Sequence, residues 1–458
     1  MNFIGREREV TRLLNLFDDT TMRTAIIYGR RRVGKSYLIR YCLKNSQKQN
    51  IYFECKQTSE MNNVESIASL VSELLDLPQL SFSSIEDILE YLFKYAITNE
   101  FILVLDEYSY LRQIVKGLDS ILQSLIDKYR DESKIKLILC GSYVDIMKSL
   151  QESANPLYGR IDSVIDLKPM DYYDSSFFYP NFKPEDKVRV YSVFGGIPYY
   201  NQMIDDRCSV KDNLVDLFVR EGSRLENEVE MFLKTEISKM NNANEVFETL
   251  AAGFCKYSDI LSQSHVSSGP SMVDALDRLI NMNLVAKEVP INDKNSKRKS
   301  SYYIKDNLAM FYYRYLFKYK SQRLIMSSEE FYNKYIDKDF EENYVPRRFE
   351  HLCKEYLIRQ NRLGKLDTTF TDIGKYYYDD PISKTNGEFD VVTLDEKGYI
   401  FYEAKFRKKP IRDKEIEEEI AQVRRTGMAC YRYGFFSSSG FDVEDKDDLI
   451  LIDIEDLY

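Results

Sequence analysis

Apolar residues recur along this chain in two rhythms. Short uninterrupted runs bounded by turn residues read as buried strands of a parallel sheet. They are Thr24-Ala25-Ile26-Ile27-Tyr28, Phe101-Ile102-Leu103-Val104-Leu105 and Ile135-Lys136-Leu137-Ile138-Leu139-Cys140. Spacing near 3.6 predicts a helix at Tyr37-Leu38-Ile39-Arg40-Tyr41-Cys42-Leu43 and dominates beyond about residue 185, where acidic stretches such as Glu221 to Glu230 appear. Helices are predicted at 245–251 and 257–261. A third opens at Gly269-Pro270-Ser271, with Val273, Leu276, Leu279 and Ile280 on one face. Strands at 284–289 and 301–304 enclose the polar loop from Asn292 to Ser300, and three helices followed by a hairpin is the winged-helix order. Residues 307–344 read as a helical connector rich in tyrosine and phenylalanine. A separate α/β pattern begins at Pro346: an amphipathic helix, then strands near 373–378, 387–392 and 399–406.

The loop after the first strand carries the strongest chemistry. Gly29-Arg30-Arg31-Arg32-Val33-Gly34-Lys35-Ser36 fits the pattern G-x-x-x-x-G-K-[S/T] between a strand and a helix that begins at Tyr37. Glycines let successive backbone N–H groups point at phosphate oxygens, and the helix N-terminus adds positive potential. Lys35 is expected on the β- and γ-phosphates and Ser36 on Mg²⁺. The second run ends in Asp106-Glu107, which delivers two carboxylates to the strand's C-terminal edge, where ligands bind in open α/β sheets. Asp106 is then a Mg²⁺ ligand and Glu107 the group that polarises the attacking water. Ser142 ends the third strand, placed either to contact the γ-phosphate and water or to cap a helix.

Composition narrows the setting. At 458 residues the chain needs two to four domains. No apolar run approaches the ~20 residues of a membrane span, and the opening Met1-Asn2-Phe3-Ile4-Gly5-Arg6 lacks a signal-peptide layout, so a cytoplasmic protein is expected. Seven scattered cysteines show no disulfide or metal spacing, and two histidines, His265 and His351, leave little for a histidine site. The net charge of −10 argues against a nucleic-acid-coated protein while allowing local basic patches.

Phe3-Ile4-Gly5-Arg6-Glu7-Arg8-Glu9, the arginine-rich phosphate loop and the hydrophobic-Asp-Glu strand together resemble AAA+ and STAND-type ATPases. Asn155-Pro156-Leu157-Tyr158-Gly159-Arg160 and Gly195-Gly196-Ile197-Pro198-Tyr199-Tyr200 resemble signatures of the archaeal-type ATPase family, which also occurs in bacteria. The resemblance implies ATP as the nucleotide, in line with the lack of an N-K-x-D guanine motif. It also implies an adenine pocket near Gly5 and Arg6, and a helical lid containing Pro198. Arg160 becomes a nucleotide-sensing arginine, in cis or from a neighbouring subunit, or else a surface ion pair.

The C-terminal pattern resembles the PD-(D/E)xK, restriction-endonuclease-like fold. Transferred by position, Asp390 and Glu403 would be metal ligands with Glu350 as the helix acid, and Lys405 would be the catalytic lysine. The alternative is a buried structural Glu–Lys pair on a scaffold without catalysis. The expected organisation is an α/β P-loop ATPase core over 1–185, a helical lid over 186–243, a winged helix over 244–305, a connector over 306–345 and a nuclease-like α/β domain over 346–458. A basic wing tip, Lys294-Asn295-Ser296-Lys297-Arg298-Lys299, either contacts DNA phosphates or is a solvated loop on a module used for protein contacts. Two functions are compatible with this organisation: an ATP-hydrolysing regulator driving a nuclease-like domain on double-stranded DNA, or a nucleotide-controlled signalling module with an inactive C-terminal fold. Either allows a homo-oligomer or a protein partner, and neither needs a membrane.

Overall fold

The computed structural model describes residues 3–231, 242–264, 266, 268–296, 298–380, 385–443 and 449–458, so His265 and Lys297 lie outside the described residues. The chain divides into two compact units, residues 1–170 with 197–199, and residues 171–196 with 200–458. No helix among the described residues is long and apolar enough to cross a membrane.

The first unit is built on five parallel strands: β1 (Arg23–Tyr28), β2 (Gln49–Glu54), β3 (Phe101–Asp106), β4 (Lys136–Gly141) and β5 (Ser163–Asp166). Their order is β2-β3-β4-β1-β5. β3 and β4 are buried along their whole length, which is why their sequences, apart from Lys136 at the start of β4, are apolar without alternation. Helices α1 (Glu7–Asp18) and α2 (Lys35–Ser46) flank β1, and α3 (Leu118–Tyr129) buries Leu122, Leu125 and Ile126. The order places the C-terminal ends of β1, β3 and β4 side by side.

In the second unit, helix α4 (Pro184–Phe194) precedes the Gly-Gly-Ile-Pro turn. Helices α5 (Ala243–Ala251), α6 (Tyr257–Gln263) and α7 (Gly269–Asn281) precede an antiparallel hairpin of β6 (Val285–Glu288) and β7 (Ser301–Ile304), the winged-helix order. Ser268 caps α7 and Pro270 sits in its first turn. Helix α8 (Val345–Arg362) then leads into β8 (Asp372–Asp380), β9 (Thr385–Asp395) and β10 (Gly398–Lys405). The short β11 (Ile411–Arg412) precedes helix α9 (Asp413–Arg425) and β12 (Cys430–Ser437). The short β13 (Phe441–Asp442) pairs with β11, and β14 (Leu449–Asp453) completes a mixed sheet of order β14-β12-β10-β9-β8. The pairs β8/β9 and β9/β10 are antiparallel, β10/β12 and β12/β14 parallel. Alternation sorts the faces: Phe401 and Phe435 pack with Ile416 and Val423 of α9, while Phe436 meets Tyr402 and, from α8, Tyr356.

The wing departs from expectation. Its loop does not extend freely but covers β8, the edge strand of the C-terminal sheet. Ile291 N donates to Lys375 O at 2.8 Å, and the Asn292 side chain donates to Tyr377 O (2.7 Å) while accepting from Tyr377 N (3.0 Å). Ile291 is buried with Phe389, Phe401 and Tyr433. Two basic tip residues are engaged within the chain: Lys294 pairs with Asp372 at 2.6 Å, and Lys299 pairs with Asp293 at 3.0 Å and lies over the Tyr377 ring. Covering an edge removes a row of unpaired backbone groups, which is the structural gain from this docking. Ile291→Ala should therefore lower the stability of the C-terminal α/β region by about 2–4 kcal/mol. The check is a fall in its thermal transition with faster amide exchange along β8.

Candidate functional site

The phosphate loop leaves β1 at Gly29, where a Cβ would stand 2.3 Å from the backbone oxygen of Leu167, so only glycine fits. It ends at Gly34, whose φ of 98° starts α2. Lys35 is buried, and its ammonium donates to Gly29 O (2.9 Å), Arg30 O (3.1 Å) and Ser142 Oγ (2.9 Å). Ser142 in turn donates to Glu107 Oε1 at 2.6 Å, and its N–H reaches Glu107 Oε2 at 3.2 Å. Of the two readings of Ser142, the helix cap is excluded, because the N-cap of the following helix is Tyr143. Glu107 holds a left-handed backbone (φ 51°), an uncommon conformation for a non-glycine residue that recurs at functional sites.

Ser36 donates to Asp106 Oδ2 at 2.7 Å. Burial works to raise the Asp106 carboxyl, but hydrogen bonds from Cys140, Tyr52 and Ser36 outweigh it and hold the group below the ordinary carboxylate range. An ionised carboxylate beside a hydroxyl at a helix N-terminus is a donor set suited to Mg²⁺. Tyr52, on β2, is a site residue that no sequence motif singles out; its hydroxyl donates to the same Asp106 oxygen, and the Arg40 guanidinium lies 3.8 Å over its ring. The available signal is a strand adjacent to the Asp-Glu strand, obscured by the abundance of tyrosine.

Gly5 and Arg6 both have positive φ, and Arg6 donates to Val33 O at 3.2 Å, which brings the N-terminal motif onto the phosphate loop. Phe3 stacks on Tyr41 (4.1 Å between centroids) and Tyr37 (5.6 Å). Pro198 comes within 3.8 Å of where a Gly34 Cβ would stand, and Arg32 lies 4.3 Å over Tyr199. Arg31 donates to Tyr143 OH at 3.5 Å. Arg160 is the exception. It binds Asp127 of α3 in two hydrogen bonds (2.8 and 2.7 Å), two residues before Asp162, whose carboxylate caps Thr24 at the start of β1. That is the opposite end of a six-residue strand from Gly29, about 20 Å at 3.3 Å per residue. Of the readings left open by the sequence, the structure shows Arg160 in a surface ion pair.

The C-terminal constellation is also divided. Gly374 pairs with Val392 but Tyr376 with Phe389, so Asp390 and Val391 both face Lys375 in a β-bulge. Tyr376 and Tyr378 point to the α9-side cluster, which leaves Lys375 on the other face. Asp390 pairs with Lys375 at 2.9 Å, and Glu388 with Lys375 at 3.3 Å. Glu403 and Lys405, two apart on β10, alternate with Tyr402 and share the face of Phe401. Lys405 holds Glu403 at 2.5 Å and Glu419 of α9 at 3.2 Å. Among the described residues no three His, Cys, Asp or Glu side chains are placed to hold a metal. Glu350, Asp390 and Glu403 lie near enough to repel one another but are not arranged as a metal's ligands; each strand acid pairs with a lysine. Lys375 and Glu419, the partners that do this, belong to no motif visible in the sequence.

The first unit has the sheet, loop and acid strand of a P-loop ATPase. Residues 3–204 match the family of ATPase domains predominantly from Archaea, and residues 312–419 match a family of archaeal and bacterial proteins of unknown function. The chain is 27% identical to an uncharacterized protein of Methanocaldococcus jannaschii over 99% of both chains. The Walker-type ATPase PABY2304 of Pyrococcus abyssi shares the fold: TM-score 0.51, 19% identity, covering 68% of this chain and 96% of that one. The Aeropyrum pernix ORC2 protein, in its ADPNP–ADP complexes, aligns with a TM-score of 0.46 at 14% identity over 71% and 97% of the two chains.

Glu350, on α8, is pushed up to about 8 by burial and by the neighbouring Asp390 carboxylate. The ordinary value is 4.5, so the folded chain keeps this proton while the unfolded chain releases it. Stability should fall as pH rises from 4.5 towards 8. Glu350→Gln should flatten that part of the profile, read as the thermal midpoint against pH.

Proposed function

We propose that the protein is an ATP-hydrolysing switch whose C-terminal α/β domain is a charge-balanced binding module. The observation that carries the first part is the Lys35–Ser142–Glu107 chain beside the Ser36–Asp106 pair. In this reading the loop N–H groups and Lys35 bind the β- and γ-phosphates, and Phe3, Gly5, Arg6 and Tyr37 border the adenine. Ser36 and Asp106 hold Mg²⁺, which when bound neutralises charge on the phosphate oxygens. Glu107 accepts a hydrogen bond from the attacking water, while Ser142 fixes the Glu107 carboxylate and holds Lys35 in line. Tyr52 keeps Asp106 ionised and oriented. Loss of Lys35 in Lys35→Ala should weaken ATP binding more than tenfold, measured with a fluorescent nucleotide. Glu107→Gln should bind ATP normally and release phosphate about 10²–10⁴-fold more slowly.

A cleft of about 710 Å³ lined by Lys256, Arg298, Lys299, Tyr377 and Asp390 lies between the wing loop and β8–β9. Its cations support double-stranded DNA as the partner of the C-terminal module. The second reading, a Mg²⁺-dependent endonuclease using Asp390, Glu403, Lys405 and Glu350, is favoured by one observation: the helix, three-strand meander, helix, parallel strand order from α8 to β12. Purified full-length protein with Mg²⁺ or Mn²⁺ distinguishes the two. The binding module leaves plasmid DNA intact in wild type and in Asp390→Ala alike. Cutting by wild type that Asp390→Ala abolishes would establish the nuclease.

A further inference from the structure

Lys375 and Lys405 lie on opposite faces of the C-terminal sheet. Each ammonium is the point on which two carboxylates converge: Asp390 (2.9 Å) and Glu388 (3.3 Å) on Lys375, Glu403 (2.5 Å) and Glu419 (3.2 Å) on Lys405. The geometry points to Lys375 as an internal substitute for a divalent cation, so that the Asp390 site binds no metal while this lysine is present.

Three features carry the inference. First, the bulge opposite Lys375 turns Asp390 to the lysine's face, whereas strand alternation turns Glu403 to the α9 face. The two acids that a metal would bridge therefore serve different cations. Second, the second carboxylate of the Lys375 site is committed elsewhere too: Glu388 Oε1 accepts from Lys256 at 2.6 Å while its Oε2 faces Lys375. Third, an ammonium at hydrogen-bond distance from two carboxylates fills the same electrostatic place as a cation held by oxygens at about 2.0–2.6 Å. A metal cannot enter without expelling a charge of the same sign.

Removing the lysine's charge leaves Asp390 and Glu388 aimed at one point with a net negative charge, so Lys375→Met should create a metal site where wild type has none. The proposal deepens the reading of the C-terminal domain as a non-cleaving module and rests on it. Its test is independent of cleavage. Mn²⁺ binding to nucleotide-free, full-length protein is counted by electron paramagnetic resonance. Wild type and Asp390→Asn should bind the same number of ions. Lys375→Met should bind one more, and Lys375→Met/Asp390→Asn should lose that gain. A Mn²⁺ ion lost from wild type on Asp390→Asn overturns the proposal even if no DNA is cut. So does Lys375→Met that keeps the wild-type circular dichroism and gains no ion. The wild-type comparison holds even where Lys375→Met does not fold.

Discussion

The buried ammonium of Lys35 is the constraint on which the ATPase unit is organised. An unpaired charge in that position is too costly to keep, so its surroundings must supply acceptors. They come from two pieces of chain, the loop carbonyls of Gly29 and Arg30 and Ser142 just after β4, and Ser142 is itself tied to Glu107 just after β3. This requires β1, β3 and β4 to end together, which the order β2-β3-β4-β1-β5 achieves by seating β4 between β3 and β1. The crevice outside the carboxyl ends of such strands is where open α/β sheets bind ligands. Loop, strand ends and sheet order are one solution to one burial problem.

The same loop also lies beside the point where the chain passes between the units. Ile197–Tyr199 belongs with the ATPase unit, whereas the residues on either side belong with the second. Pro198 stands beside Gly34 and Tyr199 beneath Arg32, so the phosphate loop touches this three-residue segment twice. That segment is continuous with α4 on one side and with the rest of the second unit on the other.

The ATPase core is legible in the sequence because its signals are local. The phosphate loop, the apolar run ending in Asp106-Glu107 and the helix after Ser36 are each fixed by a few adjacent residues whose conformations glycine, burial and spacing determine. The roles of Tyr52, Arg160, Lys375 and the wing loop are not legible, because most of their partners lie far along the chain. Arg160 meets Asp127, 33 residues away, and Asn292 meets Tyr377, 85 residues away. Nothing in the local spacing of Arg160 distinguishes a sensing arginine from one that pairs with a surface helix. The wing tip's charges are visible in sequence, while Asp372 and Tyr377, which engage Lys294 and Lys299, are not.

The bulge opposite Lys375 shows why a motif can survive without its site. Side chains alternate with a period of two along a strand, so one extra residue changes the face of every residue beyond it. Glu-x-Lys on β10 is untouched by this, since both residues lie on one regular strand and stay on one face. Asp390 lies within the bulge and is redirected to Lys375. Residue identities and spacings are compatible with a metal centre, yet the backbone register separates the acids. Each is half-buried and gains from a cation beside it, although solvent reaches both pairs and screens them. A cation at either position is therefore what this geometry favours, whether or not the domain ever meets DNA.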